Sequence, residues 1–247
     1  MAKNRRNFRN KVRHLLYRIQ GKRVLHFLHL GKTGGTAVKH ALIQAPLGKK
    51  YVLHLHSHSV KLQDIAKGEG VFFCVRDPLS RFISGFYSRQ RQGQPRHFTP
   101  WSQEEKIAFE YFSTPNQLGK ALSSKDPELK QRAQNAMNNI QHVNNSYWDW
   151  FTDEDYLRLR QSDIFFIGFQ EQLTEDFELL KKHLQVPATV ELPQDDINAH
   201  RNPKRLDKSL ETQAIANLKA WYRDDYRFID LCRKIIDQKK MYDKRIQ

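Results

Sequence analysis

The sequence predicts an α/β fold of three layers, with a central, mainly parallel sheet between helices. Three observations carry this. Four short apolar runs, at 24–30, 50–58, 71–75 and 163–169, alternate with stretches of helical spacing. The run VFFCV at 71–75 is apolar without alternation, as expected of a central parallel strand covered on both faces. A glycine-rich turn joins the first run to a helix, which is the βα connection such sheets are built from. With 247 residues, 39% of them hydrophobic, the chain is long enough to bury a sizeable core and too apolar to be wholly disordered.

Each element has its own signal. VLHFLHL at 24–30 reads as a buried strand. The turn from Gly31 to Thr36 follows, with Thr36 as cap of a helix through Val38 and Leu42 that stops before Pro46. KYVLHLHSH at 50–58 is the second strand. Tyr51, Leu53 and Leu55 face one side of it and His54, His56 and His58 the other. A short helix from Val60 to Ala66 ends at Gly68. After the third strand, RDPLSRF opens a helix with Pro78 in its first turn, running to about Arg89. Residues 90–100 form a polar, exposed loop that can act as a substrate flap.

Helices are predicted at 102–112, 127–142 and 153–161, with the aromatic–polar cluster NNSYWDWF at 144–151 between the last two. The fourth strand at 163–169 leads to a helix over 172–184, with Leu173, Phe177 and Leu180 on one face. Residues 187–205 contain Pro187, Pro193 and Pro203, and a connection of that length is often functional. Helices over 207–221 and 223–240 close the chain and dock through Trp221, Phe228, Leu231 and Ile235. The organisation is a basic extension, 1–23, and one domain, 24–247, with 90–155 as a helical insertion above the sheet.

Composition limits the function classes. Two cysteines, Cys74 and Cys232, exclude a disulfide framework and a four-thiolate metal site; Cys74 lies in an apolar run and reads as a buried free thiol. No window of 18 apolar residues occurs, so neither a transmembrane helix nor a signal-peptide core is expected, and the expected location is cytoplasmic. The net charge is +15, of which residues 1–23 carry nine, leaving +6 for the rest. Such a field favours an anionic partner: nucleic acid, phosphate groups, acidic glycans or anionic lipid. No aromatic–basic alternation marks a base-stacking groove, which disfavours nucleic acid. Leu15, Leu16 and Ile19 give the extension a thin apolar stripe, leaving weak peripheral membrane contact open.

Two segments carry anion chemistry. In GKTGGT the glycines let successive amides point inward, and the next helix presents unpaired N–H groups and its positive dipole end. Lys32 adds charge, and Thr33 and Thr36 add hydroxyls. It is not a Walker A loop, because His26 stands where that pattern needs its first glycine. A kinase-like enzyme using a nucleoside triphosphate with magnesium is therefore disfavoured. In RDPLSRFIS, Arg76 falls at the carboxyl end of a central strand, where open α/β sheets bind ligands, and Ser84 lies two helical turns further on. Asp77 and Arg81 read as a local pair bracing the helix start.

HLGKTGGT followed by VRDPLSRFISGFY resembles the sulfotransferases that use 3′-phosphoadenosine 5′-phosphosulfate (PAPS), the carbohydrate sulfotransferases most closely. The resemblance implies a P-loop-like sulfotransferase fold. It also implies a 5′-phosphosulfate cradle of Lys32, Thr33, Gly34, Gly35 and Thr36, and a 3′-phosphate grip by Arg76 and Ser84. HSHSV, from His56 to Val60, resembles the His-Gly-His segment of the uronyl 2-O-sulfotransferases, with Ser57 in place of glycine. INAHRNPKR resembles the loop that folds over the nucleotide, which implies Asn198, Arg201, Lys204 and Arg205 as further cofactor contacts.

The implied activity is sulfuryl transfer from PAPS to an acceptor hydroxyl, leaving 3′-phosphoadenosine 5′-phosphate (PAP). The acceptor is expected on a carbohydrate, an acidic glycan among the candidates, with small-molecule, lipid and tyrosine hydroxyls as alternatives. Lys32 would neutralise charge on the leaving oxygen. A histidine would take the acceptor proton, with His58 favoured as base and His56 as its partner. Alternate histidines on a strand also match zinc ligation, but no further ligand is dictated and no metal is expected. Arg89, Arg91, Arg96 and Lys106 are candidate contacts to an acidic acceptor, and Asn144, Asn145, Tyr147 and Trp148 to a sugar ring. A polyanion- or nucleic-acid-binding protein is the non-enzymatic alternative, resting on the net charge alone.

Overall fold

The computed structural model describes residues 16, 17, 19–43, 45–47, 49–195, 197, 198, 202, 203 and 205–246, with side chains to residue 239. The expected extension 1–23 thus lies largely outside the described residues. Four strands form one sheet: β1 (Arg23–Leu28), β2 (Tyr51–Leu55), β3 (Gly70–Val75) and β4 (Ile164–Phe169). Their order is β2-β1-β3-β4, and every pairing is parallel. The predicted fold class is the observed one.

Helices α1 (Gly35–Ile43) and α8 (Leu173–Leu184) cover one face, packing Val38, Leu42, Phe177 and Leu180 on Leu25, Phe27, Phe72 and Cys74. The other face carries Leu28, Val71, Phe73 and Val75. It packs on α6 (Trp148–Phe151), α7 (Glu154–Leu159) and the last helix, α10 (Arg223–Ile246). Phe228, Leu231 and Ile235 are buried as the spacing predicted, but Trp221 is 36% exposed. Trp221 ends its own helix, one residue before the chain turns into α10, and so misses the buried stripe. Both cysteines are buried and free.

A second core stands on α2 (Pro78–Gln90). Phe82 and Phe86 meet Ala108 of α3 (Gln103–Tyr111), Leu118 of α4 (Pro115–Ala121), Met137 of α5 (Pro127–Asn139) and Leu218 of α9 (Thr212–Trp221). This is the expected helical insertion. Helix α4 was not expected, since Gly119 breaks its apolar pattern. A Cβ there would stand 3.0 Å from Ala214 and Leu218, so the glycine lets α4 and α9 approach. Side-chain caps fix the helix starts: Asp77 accepts from Ser80 N (2.9 Å), and Ser102 with Glu105 forms a capping box.

Several boundaries move. Strand β2 ends at Leu55, because its partner β1 ends at Leu28 and no further ladder is possible; His56 N donating to Phe27 O is the next bond beyond the paired residues. The expected strand to His58 is therefore corrected: His56 and His58 lie on the turn that follows. The helix expected from Val60 to Ala66 is a 3₁₀ turn at Leu62–Asp64. Helix α9 begins at Thr212 rather than 207. Among the described residues no helix is long and apolar enough to cross a membrane.

One buried ion pair locks the edge of the sheet. Arg160 donates from Nε to Asp163 Oδ2 (2.5 Å) and from its Nη atoms to Leu62 O (3.3 Å), Ala66 O (3.1 Å) and the Tyr156 hydroxyl (3.0 Å). Asp163 Oδ1 accepts from Gly68 N (3.1 Å). The β2–β3 connection is thereby fastened to the start of β4. Arg160→Met should lower stability by about 3–5 kcal/mol, because it leaves a buried carboxylate and two carbonyls without their partner. Urea denaturation reads this directly; a loss under about 1 kcal/mol would show that the pair is not structural.

Candidate active site

The turn after β1 is shaped by what it must avoid. Lys32 has φ 66° and Gly34 φ 83°, both in the left-handed region. A Cβ on Gly34 would stand 2.8 Å from Leu173 Cδ2, and one on Gly35 would stand 2.5 Å from His29 Cδ2. Only glycine fits either place, and the chain enters α1 with its first amides exposed to the space above the sheet. The cap of α1 is the Gly34 carbonyl, which accepts from Ala37 N (3.0 Å), rather than Thr36 as expected. Thr33 is also corrected: its hydroxyl points inward and donates to Leu30 O (3.0 Å), leaving only its backbone for a ligand.

At the end of β3, the Tyr147 hydroxyl accepts from Arg76 N (3.0 Å) and donates to Arg76 O (2.7 Å). The strand's last peptide is thus fixed from both sides. The Arg76 guanidinium donates from Nη1 to Lys32 O (3.4 Å), while its buried Nε has no partner among the described residues. Arg81 does not pair with Asp77 as expected. It donates from Nε to Gly31 O (3.0 Å) and from Nη1 to Asn145 O (2.9 Å), and its guanidinium lies 4.4 Å from the Tyr147 ring centroid. Asp77 accepts instead from the Tyr226 hydroxyl (3.1 Å).

A cavity of about 820 Å³ opens at the carboxyl ends of the strands. Lys32, Gly34, Gly35, Thr36, Arg76, Ser84 and His58 all line it, so the structure brings together most of the residues that the two motifs supplied. Among its described lining residues there is no carboxylate. Burial first, then Arg76 and Arg91, push the Lys32 amine down to about 7. Burial also lowers Arg76. A cluster of crowded, desolvated cations with an unpaired guanidinium nitrogen is the donor set for a multiply charged anion.

The two candidate histidines part company. His58 Nδ1 lies 2.7 Å from His29 O; a carbonyl only accepts, so Nδ1 carries the proton and Nε2 keeps its lone pair. Trp150 Nε1 donates to His58 O (2.8 Å), fixing the same residue by its backbone. Burial, with Lys32 and Lys39 nearby, holds His58 below the usual histidine range. His56 is not among the residues lining the cavity. Its Nε2 meets His26 Nδ1 (2.8 Å), whose Nε2 meets Glu69 Oε2 (2.8 Å), and burial with His26 pushes it down to about 4. Lys39 Nζ donates to His56 O (3.2 Å). Among the described residues no group of three or more His, Cys, Asp or Glu is arranged to hold a metal ion.

The expected acceptor residues are placed elsewhere in the fold. Tyr147 is fully buried, Trp148 Nε1 donates to Asp224 O (3.1 Å) against the Phe228 ring, and Asn145 serves Arg81 through its carbonyl. Neither these nor Asn144 line the cavity; the aromatic cluster is a frame around it, because its large rings fill the space between sheet and α10. Arg89 lines the cavity but is buried and paired with Glu105, its Nε 2.6 Å from Oε1. Arg91 donates to Asn202 Oδ1 (2.6 Å), and Arg96 to Asn198 O (3.0 Å). Arg96 lines the cavity; Lys106, Asn198 and Arg205 do not. Arg201 and Lys204 lie outside the described residues. Sequence reasoning assigned no role to His29, Lys39, Gln170, His142 or Lys208. His29 opens HLGKTGGT, directly after the first strand, and that position was its signal; Lys39, His142 and Lys208 belong to no motif.

Such a site, an amide cradle and cation cluster at the carboxyl edge of a parallel sheet, defines an α/β protein with the donor set that phosphate-type anions require. Residues 16–230 match the model described as the sulfotransferase family, and the chain belongs to that family. No curated protein matches it. At the level of the family it is a transferase that works with PAPS, and the cavity's cations suit a donor of that charge.

Because Lys32 titrates lower in the fold than in the unfolded chain, the unfolded chain holds the extra proton between about 7 and the ordinary lysine value of 10.5. Stability without ligand should therefore rise with pH across that window. PAP binding near pH 8 should draw a proton onto Lys32, as calorimetry in buffers of different ionisation heat reports. Lys32→Met should abolish most of this uptake, and equal uptake by that variant would refute the assignment.

Proposed function

We propose that the protein moves the sulfuryl group of PAPS to a hydroxyl of a carbohydrate acceptor, with His58 as general base and Lys32 as the charge on the leaving oxygen. The observation that carries this reading is the tautomer of His58. Its proton is committed to His29 O, and its Nε2 lone pair belongs to the cavity that Lys32 and Arg76 also line. The donor supplies an activated sulfuryl group on a phosphate leaving group.

The glycine turn and Thr36 hold the 5′ end by backbone amides and a hydroxyl, and Arg76 and Ser84 hold the 3′-phosphate. His58 Nε2 takes the proton of the acceptor hydroxyl as the new S–O bond forms. The S–O bond to the 5′-phosphate breaks, and its electron pair leaves with PAP, where Lys32 neutralises it. His56 supports from outside: its ring is tied to His26, and its carbonyl to Lys39. Lys39, His40, Arg96, His97 and Lys208, lining the remainder of the cavity without a carboxylate, suit an acidic glycan. Residues 24–247 act in this reading as one catalytic domain behind the basic extension 1–23.

Single-turnover transfer tests it, with an unsulfated uronate polysaccharide, a neutral oligosaccharide, a fatty alcohol and a tyrosine peptide as acceptors. His58→Ala should cost about 10²–10⁴-fold in rate while PAP affinity stays within about twofold. The limb of the wild-type profile that rises with pH should lie below the ordinary histidine value of about 6.5 and vanish in the variant. His56→Ala should cost less. A normal rate in His58→Ala, or loss of PAP affinity matching the loss of rate, would overturn the base assignment. Preference for the alcohol or the peptide would overturn the carbohydrate acceptor.

A further inference from the structure

His142 is a residue of the cavity that the reading above leaves without a task. It sits between α5 and the aromatic cluster with φ 70°, a conformation that a histidine adopts only when its surroundings hold it there. Two separate elements make room for it. A Cβ on Gly31 of the phosphate turn would stand 3.3 Å from His142 Nδ1, and a Cβ on Gly85 of α2 would stand 3.2 Å from His142 Cβ and 3.3 Å from its carbonyl carbon. The ring lines the cavity, its centroid 6.3 Å from that of His58 at an interplanar angle of 62°. It makes no hydrogen bond to the described residues, whereas His58 has Nδ1 committed and His56 is tied to His26. Burial, and then Lys32, hold it down to about 2, so the ring is a neutral group with one donor and one acceptor nitrogen.

We infer that His142 is a further catalytic residue: seated on the phosphate turn with its ring edge-on beside His58, it hydrogen-bonds a sulfuryl oxygen of the donor during transfer. The inference rests on the proposed function. Lys32 and Arg76 supply charge, but a sulfuryl group in flight also needs donors at the oxygens that point away from the nucleotide. A neutral N–H beside the turn and next to the base is placed to supply one. Because the ring is uncharged, it contributes little to holding the phosphates, and its effect falls on the group being transferred.

The test follows the imidazole nitrogens by long-range proton–nitrogen NMR on histidine-labelled protein, with His142 assigned by its disappearance in His142→Asn. PAPS without acceptor should shift the His142 ring nitrogens, and PAP, which lacks the sulfuryl group, should leave them nearly unmoved. Asparagine tolerates the left-handed backbone. His142→Asn should therefore keep PAP affinity within about twofold yet lose about 10- to 10³-fold in single-turnover rate, by the same factor across pH because it is not the base. Gly85→Ala, whose Cβ would press on His142 Cβ and the His142 carbonyl, should displace the ring and lose part of the rate in the same manner. Ring nitrogens that respond equally to PAP and PAPS, or to neither while both bind, would overturn the inference, as would a wild-type rate in His142→Asn. If that variant fails to fold, His142→Gly, which also fits the left-handed backbone, supplies the assignment, and the NMR comparison on the wild-type protein decides. Failure of both PAP and PAPS to bind would instead overturn the proposed function.

Discussion

The buried guanidinium of Arg81 is the constraint on which the rest of the site depends. It is 3% exposed and reaches from α2 to Gly31 O on the phosphate turn and to Asn145 O on the aromatic cluster, with the Tyr147 ring beneath it. Three segments far apart in the chain therefore share one rigid fork. Tyr147, steadied in this way and by Asp225 at its backbone nitrogen (2.6 Å), in turn holds both sides of the Arg76 peptide. The two anion motifs are thus not independent loops: a planar cation between them fixes their separation.

The same logic extends to the histidines. His58 is held through its ring by His29 O and through its carbonyl by Trp150, and it has little freedom to change tautomer. The Glu69–His26–His56 chain lies on the adjoining sheet face and pins the turn from its other end. A general base gains from this, since orientation fixed in advance need not be found during the reaction. The Glu69–His26–His56 chain and the His58 Nδ1–His29 O bond satisfy these groups within the fold, all but the His58 Nε2 lone pair, which is why histidines can stand so near a hydrophobic sheet.

Much of this was legible in the sequence. Continuous apolar runs marked β3 and β4, and the Gly-rich turn and the Arg-Asp-Pro start of α2 marked the cavity's two motifs, because both depend on local backbone chemistry. Period-two reasoning overextended β2: strand length is set by the partner, and β1 stops at Leu28. Tyr147 and Trp148 were misread as a sugar platform because an aromatic–polar cluster looks alike whether it meets a ligand or a helix; only the packing of α10 decides. Arg81 and Asp77 were misread as a pair, since sequence proximity hides a longer reach to Gly31. His142 left no trace, because its significance lies in a backbone angle and in two glycines 111 and 57 residues away along the chain.

The absence of carboxylates among the cavity's described lining residues has a consequence for the unliganded protein. The lysines and arginines gathered there repel one another, a cost offset in part from outside the lining by Glu105 beside Arg89 and Glu171 near Arg76. An anion of the right shape relieves it, and by mass action the folded population then follows the concentration of that anion. Simple phosphate or sulfate ions meet the same field, so the same linkage extends to them.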